Sequence, residues 1–371
     1  MRIDYLAWAK DLHRELSGRK DRDRCCNLAS SAILEPRALL RNHVGSCSID
    51  TLFDWPDPWG NARLAEMIAS RNGMRPENVL LTNGASQGMF IVCQAFLGKG
   101  DHAVVETPVY EPLMAVPEFL GAELSYLPRR PEDGFRMRLD AFESMVTSRT
   151  KLVILTNLHN PSGAFLRDED LRDVLTILKK KCRDARIVVD EVYHDFVAEK
   201  QPPAAALDEG VISLNSLSKV YGLGFLRCGW ILASGKTMDA VRRMYVLAEN
   251  CDSPVNEAIA SVMMAEVEDY TAHWRSVLSS NRKTVCELAN PLIEDGFISG
   301  SIPEDGCIFF PEIVGVDDAG GFVREMAEKH NVFVVPGSFF GSPDYVRIGF
   351  GGRSEELKTG LEKLVEFIRN Q

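Results

Sequence analysis

The side chains of this chain best suited to chemistry are gathered in the stretch VISLNSLSKVYGLGFLRCGW, Val211 to Trp230. Its first four residues, Val211 to Leu214, read as a short buried strand that empties into serines, a lysine, a glycine-containing turn and an arginine. Such a segment makes poor core. A lysine held among desolvating or cationic groups loses basicity and can attack a carbonyl to form an imine, and Lys219 stands where that is possible. Ser216 and Ser218 before it and Arg227 after it supply the hydroxyls and the guanidinium that a phosphate ester requires. An imine-forming lysine beside a phosphate pocket points to pyridoxal 5'-phosphate (PLP). A solvated lysine on a loop is the plain alternative, because lysine is mostly an exposed residue, and this stretch by itself does not decide between the two.

The elements that would position these groups lie upstream. Asn78 to Thr82 reads as a strand, and NGASQG, Asn83 to Gly88, carries it into a helix from Met89 to Phe96. A strand that runs through small residues into a helix leaves backbone N–H groups free at one point, where phosphate binds readily, although any tight turn of this kind uses the same residues. A further strand, His102 to Glu106, ends in TPVYEP, and Tyr110 there reads by itself as packing. KLVILT, Lys151 to Thr156, is a continuous apolar strand of the type covered on both faces. It is followed by NLHNPSG, by a helix from Asp168 to Cys182 and by the strand RIVVD, Arg186 to Asp190. This strand–helix–strand rhythm is a parallel α/β pattern, in which ligands sit beyond the carboxyl ends of the strands. Gly84, Tyr110, Asn160, Asp190 and Lys219 all fall there.

Around this centre the remaining segments are less informative. Tyr5, Leu6, Trp8, Ala9, Leu12 and Leu16 recur at helical spacing, which predicts a helix packing one face on the body or on a second subunit. Arg19 to Arg24 reads as a charged connector. In NLASSAILEP, Asn27 to Pro36, the small residues up to Ala32 would let the backbone come close to a ligand. FDWPDPWG, Phe53 to Gly60, is turn chemistry, and Asn61 opens an amphipathic helix. From Gly235 to about Asn290 the pattern is helical; short strands among turns and a closing helix, Glu355 to Asn370, follow. The expected division is an N-terminal segment, 1–44, a large domain, 45–285, and a small C-terminal domain, 286–371.

Composition narrows the class. A formal net charge of -11 argues against a nucleic-acid surface, which needs clustered positive charge. The nine cysteines are odd in number and show no C-x-x-C spacing, as expected of reduced, packed thiols in a cytoplasmic protein without a structural metal. The N-terminus lacks a continuous apolar stretch of the secretory kind, and no run approaches the roughly 18 apolar residues of a membrane span.

Taken together, the motifs from about Asp54 to Arg353 resemble, in order and spacing, the class I/II aminotransferase family of fold-type I PLP enzymes. The resemblance implies an α/β fold: a large PLP-binding domain with a mainly parallel sheet between helices, plus a smaller α+β domain. It implies that Lys219 forms the Schiff base and shuttles the substrate proton. Asp190 would pair with the pyridine nitrogen, Tyr193 and Asn160 would bond the phenolic oxygen, and Tyr110 would stack on the ring. The phosphate would meet Gly84, Ala85, Ser86, Ser216, Ser218 and Arg227. Arg347, in YVRIGF, would grip the substrate α-carboxylate as a two-pronged fork, with Asn160 and Ala32 nearby. A homodimer is implied, as are an L-amino acid and a 2-oxo acid as substrates.

The chain also departs from the family. Trp55 stands where a tyrosine commonly reaches the partner's phosphate, and an indole N–H can donate there but has a different shape. Phe225 replaces a usual glycine before Arg227. His159 and His194 read either as part of the substrate mouth or as structural histidines. Because a fold does not dictate a reaction, the same scaffold could run elimination or cyclisation, as in C–S lyases or capreomycidine synthase. A binding module without activity is the alternative from another class. The full set of site residues speaks against it.

Overall fold

The computed structural model describes residues 4–19, 24–45, 47–48, 50, 59–248 and 253–370. Seven strands form the main sheet: β1 (Val79–Thr82), β2 (His102–Thr107), β3 (Glu123–Pro128), β4 (Thr150–Thr156), β5 (Arg186–Asp190), β6 (Val211–Ser216) and β7 (Gly229–Leu232). Their order is β1-β7-β6-β5-β4-β2-β3, and only β7 runs against its neighbours. The continuous apolar strands are explained by burial on both faces. Leu152 and Ile154 of β4 pack with Met89, Val92 and Met238 on one side, while Val153 and Leu155 pack with Leu171, Val174 and Leu178 on the other. The alternation of side chains along a strand divides a single apolar run between two cores.

Sequence and structure differ at three places. β3 has no clean apolar pattern because it is the sheet edge, with Glu123 and Tyr126 exposed. β7 is hidden in the stretch around Arg227, because a four-residue apolar run continues directly from the site segment without a turn cluster of its own before it. The helix expected from Met89 begins at Ala85, because Gly84 alone makes the turn at φ +82°. The Gln87 side chain accepts the Asn83 N–H at 2.6 Å and completes that first turn.

Helix Ala62–Arg71 starts where predicted, with the Asn61 side chain accepting the Leu64 N–H at 2.9 Å. The 28-residue helix Val267–Glu294 buries Tyr270, Trp274, Leu278, Val285 and Leu292, and the expected division at residue 285 lies inside it. The C-terminal part holds a three-stranded antiparallel sheet in the order Ile308–Phe309, Val346–Gly349, Val335–Pro336. Among the described residues no helix is long and apolar enough to cross a membrane.

The N-terminal segment is stitched into both parts. Cys26–Asn27 pairs in parallel with Val332–Phe333, the Leu34 N–H donates to the Gly351 carbonyl, and the Ile33 N–H donates to the Lys219 carbonyl. This passage is narrow. A Cβ on Gly349 would lie 1.7 Å from the Ser30 carbonyl oxygen, and one on Gly351 would lie 2.4 Å from that of Ala32. Substituting Gly349→Ala is therefore expected to destabilise the protein by ~3 kcal/mol or more, since overpacking against backbone cannot relax through a rotamer change. Urea denaturation of the two proteins measures this difference.

Candidate active site

Strands β1, β2, β4, β5 and β6 end at one edge of the sheet, and antiparallel β7 begins there. The register brings Thr82 and Ser216 beside Gly229, and Thr156 beside Asp190. A cavity of about 460 Å³ opens over that edge. This is the size range of a site for a small cofactor and its substrate.

One end of the cavity is built for an anion. Ala85 and Ser86, in the first turn of helix Ala85–Phe96, line it together with Ser216, Ser218 and Arg227. A helix start offers unpaired N–H groups and positive potential. Arg227 adopts φ +49° and turns its guanidinium onto the Asn83 and Gly224 carbonyls, at 3.2 Å each. Gly84 lies directly beneath: a Cβ there would come within 2.4 Å of the Arg227 Nη2. Gly229 is required as well, because its Cβ would sit 2.6 Å from the Gly84 carbonyl carbon. The ester tail of PLP fits this cradle of amides, hydroxyls and one guanidinium.

The middle holds an amine and a carboxyl. Lys219 Nζ donates to Ser31 Oγ at 3.1 Å. Burial, joined by Arg347 and opposed by Tyr5, Cys307 and Asp190, holds the amine below the usual lysine range. Asp190 ends β5, and one of its oxygens accepts the Val192 N–H at 3.2 Å. Burial pushes its carboxyl up to about 6, although the Val192 N–H and Lys219 both favour the ionised form. A cationic ring nitrogen at this place would remove that penalty. The Tyr193 hydroxyl is buried without a hydrogen bond, and Tyr110 stands on the cavity wall with its ring edge-on to Tyr5 at 5.7 Å. The Tyr193 hydroxyl, with Ser31 beside it, and the Tyr110 ring are groups that an oxygen-bearing aromatic ring would engage.

The far end is closed by the N-terminal residues of the same chain. Tyr5, Leu6 and Ala9 of helix Asp4–Gly18 line the cavity beside Ser31 and Ala32. The sequence places this helix against the body or a second subunit; here it covers the site. The Tyr5 and Leu6 N–H groups both donate to the Glu111 carboxylate at 3.1 Å. No local signal reveals this contact, since it joins residues 106 and 105 positions apart. Arg347 is fully buried behind Tyr5 and Asn160 and does not reach the cavity wall. Gly84 likewise lies under the wall rather than on it. Trp55 lies outside the described residues.

Beneath the floor runs a network that the sequence does not reveal. Buried Glu106 pairs with Arg129 at 2.9 Å and accepts both the backbone N–H and the hydroxyl of Thr156. The Thr156 hydroxyl in turn accepts the Asn160 N–H at 3.4 Å, so a buried ion pair fixes the Asn160 loop. His159 is enclosed between Ser162 Oγ at 2.6 Å and the Pro108 carbonyl at 2.7 Å. His194 meets the Gln201 carbonyl at 3.2 Å, and neither histidine lines the cavity. Both therefore have structural surroundings.

Comparison with known proteins places the chain in a family and a fold. The profile of the family described as Aminotransferase class I and II matches residues 35–364. The chain is 31% identical to capreomycidine synthase of Streptomyces vinaceus over 90% of this chain and 85% of that one. It is 27% identical to aspartate aminotransferase of Thermotoga maritima over 85% and 84%. Among solved structures, a PLP-dependent aminotransferase from Streptococcus suis superposes with a TM-score of 0.86 at 25% identity, covering 97% of both chains. The PLP-dependent cyclase OrfR superposes with a TM-score of 0.82 at 25% identity, covering 97% and 96%.

The raised carboxyl of Asp190 has a consequence for stability. A carboxyl whose folded pKa lies near 6, above its unfolded value near 3.8, destabilises the fold once ionised, so the penalty is complete above 6 and fades as the pH falls toward 3.8. In cofactor-free protein, Asp190→Asn is expected to be more stable than the parent by on the order of 2–3 kcal/mol at pH 8, shrinking steadily as the pH falls from 6 to 4. Paired urea titrations across that range measure it; an advantage independent of pH would contradict the assignment.

Proposed function

We propose, from the premise that this chain belongs to the class I and II aminotransferases, that it moves an amino group between an L-amino acid and a 2-oxo acid with PLP as cofactor. The observation that carries the reading is the meeting of the Lys219 amine, the Asp190 carboxyl and the Arg227 guanidinium around one cavity. When bound, PLP supplies an aldehyde and an electron-withdrawing ring that stabilises negative charge on the substrate's Cα.

The chain's own groups do the rest. Arg227, the Ala85 and Ser86 amides and the hydroxyls of Ser86, Ser216 and Ser218 hold the phosphate. Asp190 would keep a proton on the ring nitrogen, and Tyr193 with Asn160 would bond the phenolic oxygen. Tyr110 covers the ring face. Lys219 would serve as both nucleophile and base: its lowered basicity leaves more free amine to meet the aldehyde, and the same amine would be placed to take a proton from the substrate's Cα. The N-terminal helix keeps bulk water from that transfer. Two half-reactions on one cofactor make the kinetics ping-pong.

A homodimer is part of the proposal. Arg227 is exposed, Phe225 beside it is 56% exposed, and Leu247 at the end of helix Gly235–Ala248 is 80% exposed. A second copy would cover these apolar side chains and close the phosphate end. Light scattering should return the mass of two chains.

One observation favours a second reading, elimination or cyclisation on the same scaffold. Among the described residues, Lys219 and Arg227 are the cations lining the cavity, and the described residues offer no further lining cation for a dicarboxylic side chain. The likeness to capreomycidine synthase points the same way. A panel of amino acids in single half-reactions separates the two. Transfer gives one equivalent of 2-oxo acid with loss of the cofactor's visible band. Lyase or synthase chemistry gives many turnovers of pyruvate and ammonia, or a cyclised product, with the band retained. Under either reading Lys219→Ala should lower turnover by about four orders of magnitude while leaving phosphate binding largely intact, since it removes nucleophile and base together.

A further inference from the structure

The partners of Arg347 give Tyr5 a place in substrate recognition. The guanidinium is fully buried, and its donors meet only neutral acceptors: Nη1 reaches Asn160 Oδ1 at 3.0 Å, and Nη2 reaches the Tyr5 hydroxyl at 3.1 Å and the Ala29 carbonyl at 3.2 Å. Nε has no partner. Both Nη2 hydrogens are therefore engaged. A two-pronged grip on a carboxylate would require Nη2 to give one of them up. The Ala29 carbonyl is not easily released, because its segment is pinned by the Gly349 N–H bond to Leu28 at 2.6 Å and by the close pass over Gly349.

Tyr5 is also held firmly. Its N–H is bonded to Glu111, and its ring is wedged against Trp8, Tyr110, Phe339 and Phe340 at centroid distances of 5.7–6.1 Å. Its hydroxyl accepts from Arg347 and has no acceptor for its own proton among the described residues. Tyr5 lines the cavity and Arg347 does not. A carboxylate entering the cavity thus meets the phenol first. Although burial would raise it, Arg347 and Lys219 draw the Tyr5 phenol below its usual range, which makes it a stronger donor.

We propose that the Tyr5 hydroxyl donates directly to one oxygen of the substrate α-carboxylate, with Arg347 behind it, so that the N-terminal helix is part of the substrate site. This rests on the reading of a PLP site for an α-amino acid. It requires no movement of the helix and puts a hydroxyl donor at the cavity wall, where the guanidinium behind it does not reach.

The test uses PLP-loaded protein and two probes that consume the aldehyde whatever amino acid the site prefers. Aminooxyacetate carries a carboxylate; methoxyamine does not. Each is followed by the rate at which the visible absorbance disappears. Y5F is expected to slow capture by aminooxyacetate about tenfold, the effect of one hydrogen bond to a charged group, and to leave methoxyamine within about twofold. E111Q, which keeps the phenol but weakens its anchor, should slow aminooxyacetate selectively by about threefold. Equal rates for Y5F and the parent with aminooxyacetate would overturn the proposal, as would equal slowing of both probes. A faster reaction would overturn it too, since it would mean that the phenol merely occupies an arginine donor that the carboxylate wants. Failure of the parent protein to react with methoxyamine would instead remove the cofactor reading on which the proposal rests.

Discussion

Charged side chains taken out of water at the edge of a sheet must be paired, neutralised or put to use, because an isolated buried charge costs far more than a single contact returns. Glu106 represents the first outcome. It has Arg129 and two donors from Thr156, and it serves as foundation for the Asn160 loop. Asp190 and Lys219 represent the others: one carboxyl with a single backbone donor, one amine with a single hydroxyl, both with their proton affinities moved toward the neutral form. The contrast between a satisfied carboxylate in the floor and an unsatisfied one facing the cavity separates support from chemistry.

The second constraint is steric. The segment Ser30 to Ile33 passes between Gly349, Gly351 and Gly222, where a Cβ would collide with its carbonyls, and it delivers Ser31 to the lysine amine. Through Tyr5, Leu6, Ala9, Ser31 and Ala32 the described N-terminal residues are thus a wall of the site rather than an appendage. Their pairing with Val332–Phe333 ties that wall to the strand carrying Arg347 through the C-terminal sheet. The N-terminal helix and the buried Arg347 are thereby joined into one wall, with the Tyr5 hydroxyl accepting from the guanidinium.

The likeness to aminotransferases and to a synthase and cyclase alike has a physical counterpart in how the cavity is divided. On the proposed reading, its Arg227 end would hold a phosphate and its lysine–aspartate centre would serve any reaction that needs negative charge stabilised beside an amine. The wall made by Leu6, Ala9, Ser31 and Ala32 is where one substrate side chain would be told from another. Fold and cofactor are shared among such proteins, and a shared fold does not by itself dictate the reaction.

Much of this could be read in the chain. The apolar runs ending in Thr82, Thr156, Asp190 and Leu214 pointed to a parallel sheet covered on both faces. In such a sheet the residues after the strand ends converge, so Lys219, Asp190, Asn160 and the glycine turn at Gly84 were legible as one site. Contacts that depend on distant partners were not. The bonds from Tyr5 and Leu6 to Glu111, the interception of Arg347 by Tyr5 and the Glu106–Arg129 pair join residues with no local pattern between them. Local sequence determines which groups stand at strand ends, because periodicity and turn chemistry act over a few residues. Which of those groups face the cavity, and which lie behind a neighbour, was decided only when the N-terminal helix and the C-terminal strands closed over the sheet, since burial is a property of the whole fold.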